Sequence, residues 1–410
     1  MLVLGLLAAG TACVGEERDE VTIFGPEVGP ELEHLQAVLA EFSDRTGISV
    51  VAEGSRDFED EVGGRLAAGD PPDIAMFPQP GRVREVRDDL LPLQDDLARS
   101  VDADFPPDLT DLVRIDGELW AVPVKVDLKS LVWYSPARFR AADYAVPRTF
   151  DAFLDLADRM AADGHPPFCV GIGSGEASGW PLTDWIEDFL LRTEGPEVYD
   201  QWVAHEIPFD DPRVVRTAER VVDLWSPEGY VFGGMDAAAV TGFADAGLPV
   251  LQGECMMYRQ ANFYAVNWPA GTTFGPDGDI DAFSLPGSTE HPEIVLSGGL
   301  YATAFGRSPE TVRVLEFLAS AEFANAMARQ PSSGFLSGNR RVDVDLYRDD
   351  LNRSFAEILR TADPVRFDGS DLMPGEVGSG TYWSAAVDIT SGTKDVATAF
   401  AEVEDNWPDG

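Results

Sequence analysis

The fold is decided by residues 20–77, which read EVTIFGPEVGPELEHLQAVLAEFSDRTGISVVAEGSRDFEDEVGGRLAAGDPPDIAMF. Three short β-type runs alternate there with two segments of helical periodicity, at 20–24, 32–42, 48–52, 58–68 and 73–77. A βαβαβ order predicts a parallel sheet with helices on its faces. The chain is therefore expected to have an α/β fold.

Loops that contain Gly or Pro follow the three predicted strands, at 25–29, 54–57 and 78–81. Open parallel sheets bind their ligands at the carboxyl ends of the strands. We therefore expect these three loops to form one rim of a binding site.

A second α/β region follows residue 147, and the chain then returns to the first region. The further predicted elements are strands at 119–124, 130–134, 168–172, 255–258 and 301–305, and helices at 149–160, 182–192, 212–225, 310–319 and 321–329. No linker rich in Pro, Ser or Gly separates the two regions. Two lobes joined by more than one crossing therefore fit better than two independent domains.

The charge balance excludes several classes of function. The 410 residues include 30 Lys and Arg but 72 Asp and Glu, which gives a net charge of −42. Nucleic acids and anionic membrane surfaces both require clustered cations, so neither is an expected partner. The 44% hydrophobic content is enough for a substantial core and excludes wholesale disorder.

The first residues resemble an export signal. Residues 1–12 read MLVLGLLAAGTA, and Cys13 follows. The stretch is too short to span a bilayer, and the small residues before Cys13 resemble a bacterial lipobox, although Gly10 stands where Leu is usual. We expect a lipidated Cys13 that holds the protein at the extracellular face of the cytoplasmic membrane, or a periplasmic protein; a frayed apolar N-terminus is the alternative.

The other two cysteines, Cys169 and Cys255, form an even pair once Cys13 is set aside. Paired cysteines in an oxidising compartment normally form a disulfide, so we predict this bond; two buried thiols are the alternative. The four histidines are scattered, and no Cys-x-x-Cys or His-x-x-x-His spacing occurs. Neither a metal nor a cofactor is expected.

Motifs for catalysis are weak. The run 171–176 resembles a dinucleotide loop, but Glu176 replaces the third glycine and would repel a pyrophosphate. Asp277 starts a calcium-like loop in which Ala282 replaces the turn glycine. Paired carboxylates would suit a glycosidase, but with this many acids such pairs arise by chance.

Aromatic residues in polar loops are more informative, because sugar sites combine Trp or Tyr with carboxylates, amides and Arg. Trp180 starts a predicted helix, with Asp184 one turn along. For Trp180, ligand stacking and plain packing both remain open. Trp133, Trp202 and Trp225 lie among apolar positions and are expected in the core.

Five segments resemble the extracellular solute-binding component of bacterial ABC sugar importers, and within it the alpha-glucoside-binding group. These segments are 54–81, 116–136, 166–192, 253–263 and 367–392. They cover both expected lobes. The resemblance implies a periplasmic-binding-protein-like fold with two α/β lobes, several crossing segments and a ligand cleft between the lobes.

The resemblance also implies lobe limits and site residues. After a signal peptide and lipobox at 1–13, the expected N-terminal lobe comprises about 14–123 with 270–330, and the C-terminal lobe about 148–265 with 340–410. Where the group often has His before Arg-Gln, this chain has Tyr258. The implied ligand-binding residues are Glu27, Ser55, Arg56, Gln79, Asp127, Trp180, Asp184, Arg259, Gln260, Gly299 and Tyr301.

The expected function is that of a non-catalytic substrate-binding component of an ABC transporter. It would be a monomer that captures a di- or oligosaccharide of the alpha-glucoside type, such as trehalose, maltose or sucrose, and delivers it to permease subunits. A secreted acidic glycoside hydrolase is one alternative, and the same receptor with another polyol as its cargo is the other.

Overall fold

The computed structural model describes residues 20–331 and 334–408. The predicted signal peptide and lipid-bearing Cys13 lie outside these residues. None of the helices in the described part of the chain is both long and apolar enough to cross a membrane.

Twelve strands occur in the described residues: β1 Glu20–Gly25, β2 Ser49–Gly54, β3 Ile74–Phe77, β4 Arg114–Ile115, β5 Glu118–Leu119, β6 Val122–Leu128, β7 Leu131–Tyr134, β8 Phe168–Cys169, β9 Met257–Arg259, β10 Asp281–Ser284, β11 Val295–Ala304 and β12 Val365–Phe367. The α-helices are α1 Pro30–Thr46, α2 Phe58–Ala68, α3 Pro80–Glu85, α4 Asp95–Asp104, α5 Pro107–Thr110, α6 Pro136–Ala141, α7 Phe150–Ala162, α8 Trp180–Thr193, α9 Pro196–Val203, α10 Pro212–Trp225, α11 Gly234–Val240, α12 Phe243–Ala246, α13 Pro249–Gln252, α14 Pro309–Leu318, α15 Ala321–Ala328, α16 Asp350–Thr361, α17 Gly369–Leu372, α18 Trp383–Thr390 and α19 Val396–Asp405. A π-helical segment, Glu376–Tyr382, precedes α18.

The first lobe is built on a six-stranded sheet. Its order is β12-β11-β3-β1-β2, and β6 also pairs with β11. The strands β1, β2 and β3 are parallel, as the βαβαβ pattern predicts. The long strand β11 runs antiparallel to β3 and β6 and brings a distant part of the chain into this sheet.

The second lobe is built on a four-stranded sheet of order β10-β7-β9-β8. The consecutive strands β6 and β7 belong to different sheets, so residues 129–130 between them cross from one lobe to the other. This crossing matters for the site because Lys129 lies in it. The lobe limits stated above stay a prediction.

Two apolar cores support the lobes. Trp133, Trp202 and Trp225 are fully buried in them, as expected from their apolar neighbours. A disulfide joins Cys169 in β8 to Cys255, which lies just before β9, with their Cα atoms 5.5 Å apart. The predicted cysteine pairing is thus confirmed.

Candidate functional site

The candidate site is a cavity of about 140 Å³ in the cleft between the lobes. The loops that follow β1, β2 and β3 all reach it, and each contributes lining residues. Its walls comprise Pro26, Glu27, Glu31, Arg56, Glu59, Pro78, Gln79, Lys125, Asp127, Lys129, Ser174, Ala177, Trp180, Phe243, Phe263, Gly299, Leu300, Ser370, Asp371 and Trp383.

Six of the residues expected from the sequence line this cavity: Glu27, Arg56, Gln79, Asp127, Trp180 and Gly299. Ser55 stands beside it, and its hydroxyl donates to Glu61 Oε1 at 2.6 Å. Tyr301 is buried, with its ring 5.8 Å from that of Phe367. Their role in binding stays a prediction.

The remaining three, Asp184, Arg259 and Gln260, are buried behind the cavity wall. Arg259 donates to Asp184 Oδ2 at 3.0 Å and to Asp188 Oδ2 at 2.6 Å. The side-chain oxygen of Gln260 accepts from the amide of Ala261 at 2.8 Å. The three residues therefore support the cavity wall from behind. Direct contact between any of them and a ligand stays a prediction.

A buried ammonium group organises the wall of the first lobe. Lys125 Nζ lies 2.9 Å from Glu27 Oε1, 2.8 Å from Glu31 Oε1 and 3.7 Å from Asp127 Oδ1. Burial raises the pKa of Glu31 and of Asp127, although Lys125 acts to lower both. Burial alone would lower the pKa of Lys125, but the three carboxylates hold it well above its usual value.

A second buried ammonium group joins the crossing segment to the second lobe. Lys129 Nζ lies 2.5 Å from Asp368 Oδ2, 3.1 Å from Asp184 Oδ1 and 3.8 Å from Asp371 Oδ2. Through Asp184 it is connected to Arg259. Charges from the crossing segment, α8, β9 and the loop around α17 therefore form one network.

The same network extends along α8. Asp188 accepts from Arg192 Nη1 at 2.7 Å and from the hydroxyl of Ser130 at 2.5 Å. Glu187 accepts from the hydroxyl of Tyr199 at 2.9 Å and from the backbone amides that begin α17. A buried charge is tolerated only when it is paired and hydrogen-bonded. Asp188 meets both conditions, whereas Glu187 has hydrogen bonds without a paired cation among the described residues.

The carboxyl groups of this network have perturbed pKa values. Burial raises the pKa of Asp184 to about 6 and raises that of Glu187 and Asp371 well above the usual value. For Asp188, burial acts to raise the pKa, but Arg192 and Arg259 keep it below its usual value.

These raised pKa values predict a protein that is more stable in mild acid. A carboxyl group with a raised folded-state pKa contributes stability that is complete below its unfolded-state pKa and lost as the pH rises through the folded value. For Asp184 this window runs from its ordinary value of 3.8 to about 6. We expect the melting temperature to rise by several degrees between about pH 7.5 and about pH 5.5.

Scanning calorimetry measures the melting temperature at the two pH values. The buffer contains about 0.5 M salt, because salt screens the repulsion among surface acids. A melting temperature that falls steadily over the same interval would contradict the assignment of raised pKa values.

Three aromatic rings lie together in the cleft. The ring centroid of Trp180 is 5.1 Å from that of Phe243 and 6.1 Å from that of Phe263. Each ring also has a cation nearby, with distances measured to the ring centroid. Lys129 Nζ is 5.7 Å from Trp180, Arg56 Cζ is 5.1 Å from Phe243, and Lys125 Nζ is 5.5 Å from Phe263. The cleft thus offers apolar ring surface beside charged and polar groups.

Local sequence fixes Trp180 in this position. Gly179 has a φ of 111°, and a Cβ there would lie 2.2 Å from the carbonyl oxygen of Trp383. Only glycine fits such a conformation and such a close approach. Pro181 follows within the first turn of α8, where a missing amide hydrogen costs nothing. The sequence Gly-Trp-Pro thus starts the helix with the indole at the cavity.

Two buried acceptor atoms at the cavity have no hydrogen-bond partner among the described residues. They are Asp127 Oδ1 and Gln79 Oε1. The hydroxyl of Tyr301 is also buried and has no hydrogen-bond partner among the described residues. Unpaired buried polar groups are costly, so atoms of this kind at a cavity wall point to a ligand or water that satisfies them.

The composition of the site suits an organic ligand. In the part of the chain that the structure describes, no group of three or more His, Cys, Asp or Glu residues could hold a metal ion. Aromatic faces and unpaired acceptors are instead the features that bind the CH faces and hydroxyl groups of a sugar.

Sequence reasoning missed several wall residues, notably Glu31, Lys125, Lys129 and Asp371. A signal for the lysines was present: the chain has only three, and two of them stand four residues apart in the stretch KVDLK. Glu31 and Asp371 carried no comparable signal, because acids are abundant throughout the chain.

Comparison with known proteins adds a family context. A family model described as bacterial extracellular solute-binding protein matches residues 29–325. The osmoprotective compounds-binding protein GgtB of Synechocystis sp. is 37% identical over 420 residues, which cover 99% of this chain and 98% of that protein. The alpha-glucosides-binding periplasmic protein AglE of Rhizobium meliloti is 36% identical over 401 residues, covering 94% and 86%.

Solved structures of similar shape are known. The bacterial solute receptor AcbH, described as having an exclusive preference for β-D-galactopyranose, matches with a TM-score of 0.81 and 20% identity over 95% of this chain and 98% of that one. Maltose-bound MalE3 of T. maritima matches with a TM-score of 0.73 and 18% identity over 95% and 98%. At these identities the likeness concerns the fold, and it confirms the expected two-lobed architecture.

Proposed function

Because the chain belongs to the family of bacterial extracellular solute-binding proteins, we propose that it captures a neutral saccharide of the alpha-glucoside type in the cleft between its lobes. It would then deliver this sugar to the permease of an ABC importer. The names of GgtB and AglE support a glucoside or a related osmoprotective compound as the cargo.

The observation that carries the proposal is the composition of the cavity wall. Aromatic rings, Trp180 foremost, alternate there with acceptor groups such as Asp127 and Gln79. A sugar presents apolar CH faces that suit the rings and hydroxyl donors that suit the acceptors. Since the wall residues come from both lobes, a bound sugar would contact both and favour the closed state.

The charges of the wall support a neutral ligand. Five acids and three bases line the cavity. The wall therefore holds no surplus of positive charge for an anionic solute. Four of the five carboxylates lie against Lys125 or Lys129, and the fifth, Glu59, accepts a hydrogen bond from Gln79.

The proposal includes export and membrane attachment. The small residues before Cys13 support a lipid anchor on the extracellular face of the cytoplasmic membrane, with a periplasmic form as the alternative. The protein would act as a monomer without catalysis of its own.

A thermal-shift screen with a product assay tests the function. The protein is heated with trehalose, sucrose, maltose or no sugar, and each mixture is then assayed for free glucose. We expect at least one of these sugars to raise the melting temperature and to be recovered intact, because ligand binding to the folded state stabilises it. Release of glucose would instead show a hydrolase, and no shift with any sugar would overturn the proposal.

Binding is expected to be nearly independent of salt despite the net charge of −42. A neutral sugar brings no charge that ions could screen. Calorimetric titrations at about 0.05 M and about 0.5 M salt should therefore agree within about twofold. A loss of affinity beyond about tenfold at the higher salt would indicate a cationic ligand and contradict the neutral one.

A further inference from the structure

Gln79 lines the cavity, and one end of its side-chain amide has no hydrogen-bond partner among the described residues. The residue precedes α3 and is 2% exposed, yet its side chain makes no capping hydrogen bond to that helix. Its amide nitrogen donates to Glu59 Oε1 at 2.8 Å, whereas its Oε1 is buried and has no partner among the described residues. The unpaired end of the amide is therefore the acceptor.

Glu59 determines how the side-chain amide of Gln79 is oriented. An ionised carboxylate offers only acceptors, so the side chain that bonds to it must turn a donor towards it. The amide of Gln79 has one donor end and one acceptor end, and its donor end is taken by Glu59. The acceptor end is the one without a partner among the described residues.

Asp127 supplies a second acceptor of the same kind. Its Oδ1 is buried at the cavity wall without a hydrogen-bond partner, although Lys125 Nζ lies 3.7 Å away. A carboxylate oxygen accepts and cannot donate. The first lobe therefore has two acceptor atoms at this wall that receive no hydrogen bond from the described residues.

We propose that Glu59 is a positioning residue that holds Gln79 as a hydrogen-bond acceptor, so that Gln79 and Asp127 together select ligands that donate two hydroxyl hydrogens at this wall. This inference rests on the proposed function and narrows its substrate class. The selected ligands are unmodified polyols, and sugars whose hydroxyl at this wall is replaced by fluorine or an ether are rejected.

The rejection follows from the cost of an unpaired buried group. A site built to receive a hydroxyl donor leaves its own acceptor unsatisfied when that donor is missing, and discrimination is then steep. Replacing Glu59 by glutamine keeps the shape but adds a donor. The amide of Gln79 can then turn around, and the wall accepts either polarity.

The test is a calorimetric series with trehalose and its monodeoxyfluoro derivatives, one for each hydroxyl position. If sucrose or maltose binds the wild type more tightly, that sugar and its fluorinated derivatives are used. We expect at least one fluorinated derivative to bind the wild type about thirtyfold more weakly than the parent sugar, and this ratio to fall to about threefold in Glu59→Gln.

Asp60→Asn is the matched control. It makes the same change of charge on the same helix, but Asp60 is exposed and does not line the cavity. It should keep the wild-type ratio. If Glu59→Gln proves unstable, Glu59→Met serves instead, because it also removes the acceptor that orients Gln79.

The outcomes separate this inference from the function on which it rests. A ratio that stays at the wild-type value in the Glu59 variants, or that falls equally in Asp60→Asn, would overturn the role of Glu59. A wild type that binds none of the three parent sugars would overturn the proposed function, and this inference with it.

Discussion

Replacing Arg259 by methionine is expected to lower the free energy of unfolding by about 3–5 kcal/mol, because it takes from each of two buried carboxylates one of the two cations that compensate it. Arg259 is 2% exposed, and its guanidinium donates hydrogen bonds to both Asp184 and Asp188. Asp188 would keep Arg192, and Asp184 would keep Lys129, but neither would remain fully paired.

Denaturant unfolding of the variant measures this loss. Arg313→Met is the matched control, since Arg313 is an exposed residue that pairs with Glu316 along one helix. An exposed pair of this kind contributes about 0.3–0.5 kcal/mol. If Arg259→Met unfolds like the wild type and loses only sugar affinity, Arg259 is a ligand contact and its structural assignment is wrong.

Replacing Trp180 by alanine is expected to weaken sugar binding by about thirtyfold or more, equivalent to about 2 kcal/mol. The indole lies at the cavity wall beside the rings of Phe243 and Phe263. Removing it deletes an indole face of the cleft while most of the core stays intact. The fold should therefore survive the change.

Calorimetric titration of the best sugar measures the effect. Trp407→Ala is the matched control, because Trp407 stacks on His205 in a part of the second lobe that does not line the cavity. The control should bind like the wild type. An affinity of Trp180→Ala within about threefold of the wild type would assign Trp180 to packing alone.

The sequence predicted the first sheet well because its strands and helices are local. The segment from β1 to β3 has regular apolar spacing, with Gly or Pro between its elements, so every element was found close to its observed limits. The strand β11 was harder. It was expected at 301–305 but spans Val295–Ala304, since Gly298 and Gly299 resemble a loop in sequence.

The structure explains this glycine pair. A Cβ at Gly299 would lie 2.4 Å from the carbonyl oxygen of Lys125 on β6, so the strand needs glycine for a close approach of two backbones. This close approach joins residues that are far apart in the chain. The pattern of neighbouring residues therefore cannot indicate it.

The candidate site was predictable only in part for a similar reason. The loops after parallel strands pointed to Glu27, Arg56 and Gln79 through a general rule of α/β sheets. Lys129 acquires its role from tertiary contacts, because Asp184 and Asp368 come from distant segments. Burial separates these acids from the many others on the chain, and burial arises only in the folded protein.

The most direct test of sugar binding in the cleft is a crystal structure of the protein with the sugar that binds most tightly in the thermal-shift screen. We expect density for the sugar in the cleft, with one ring against Trp180 and hydroxyl groups that donate hydrogen bonds to Asp127 Oδ1 and Gln79 Oε1. A sugar bound at another surface, with the cleft empty, would contradict it.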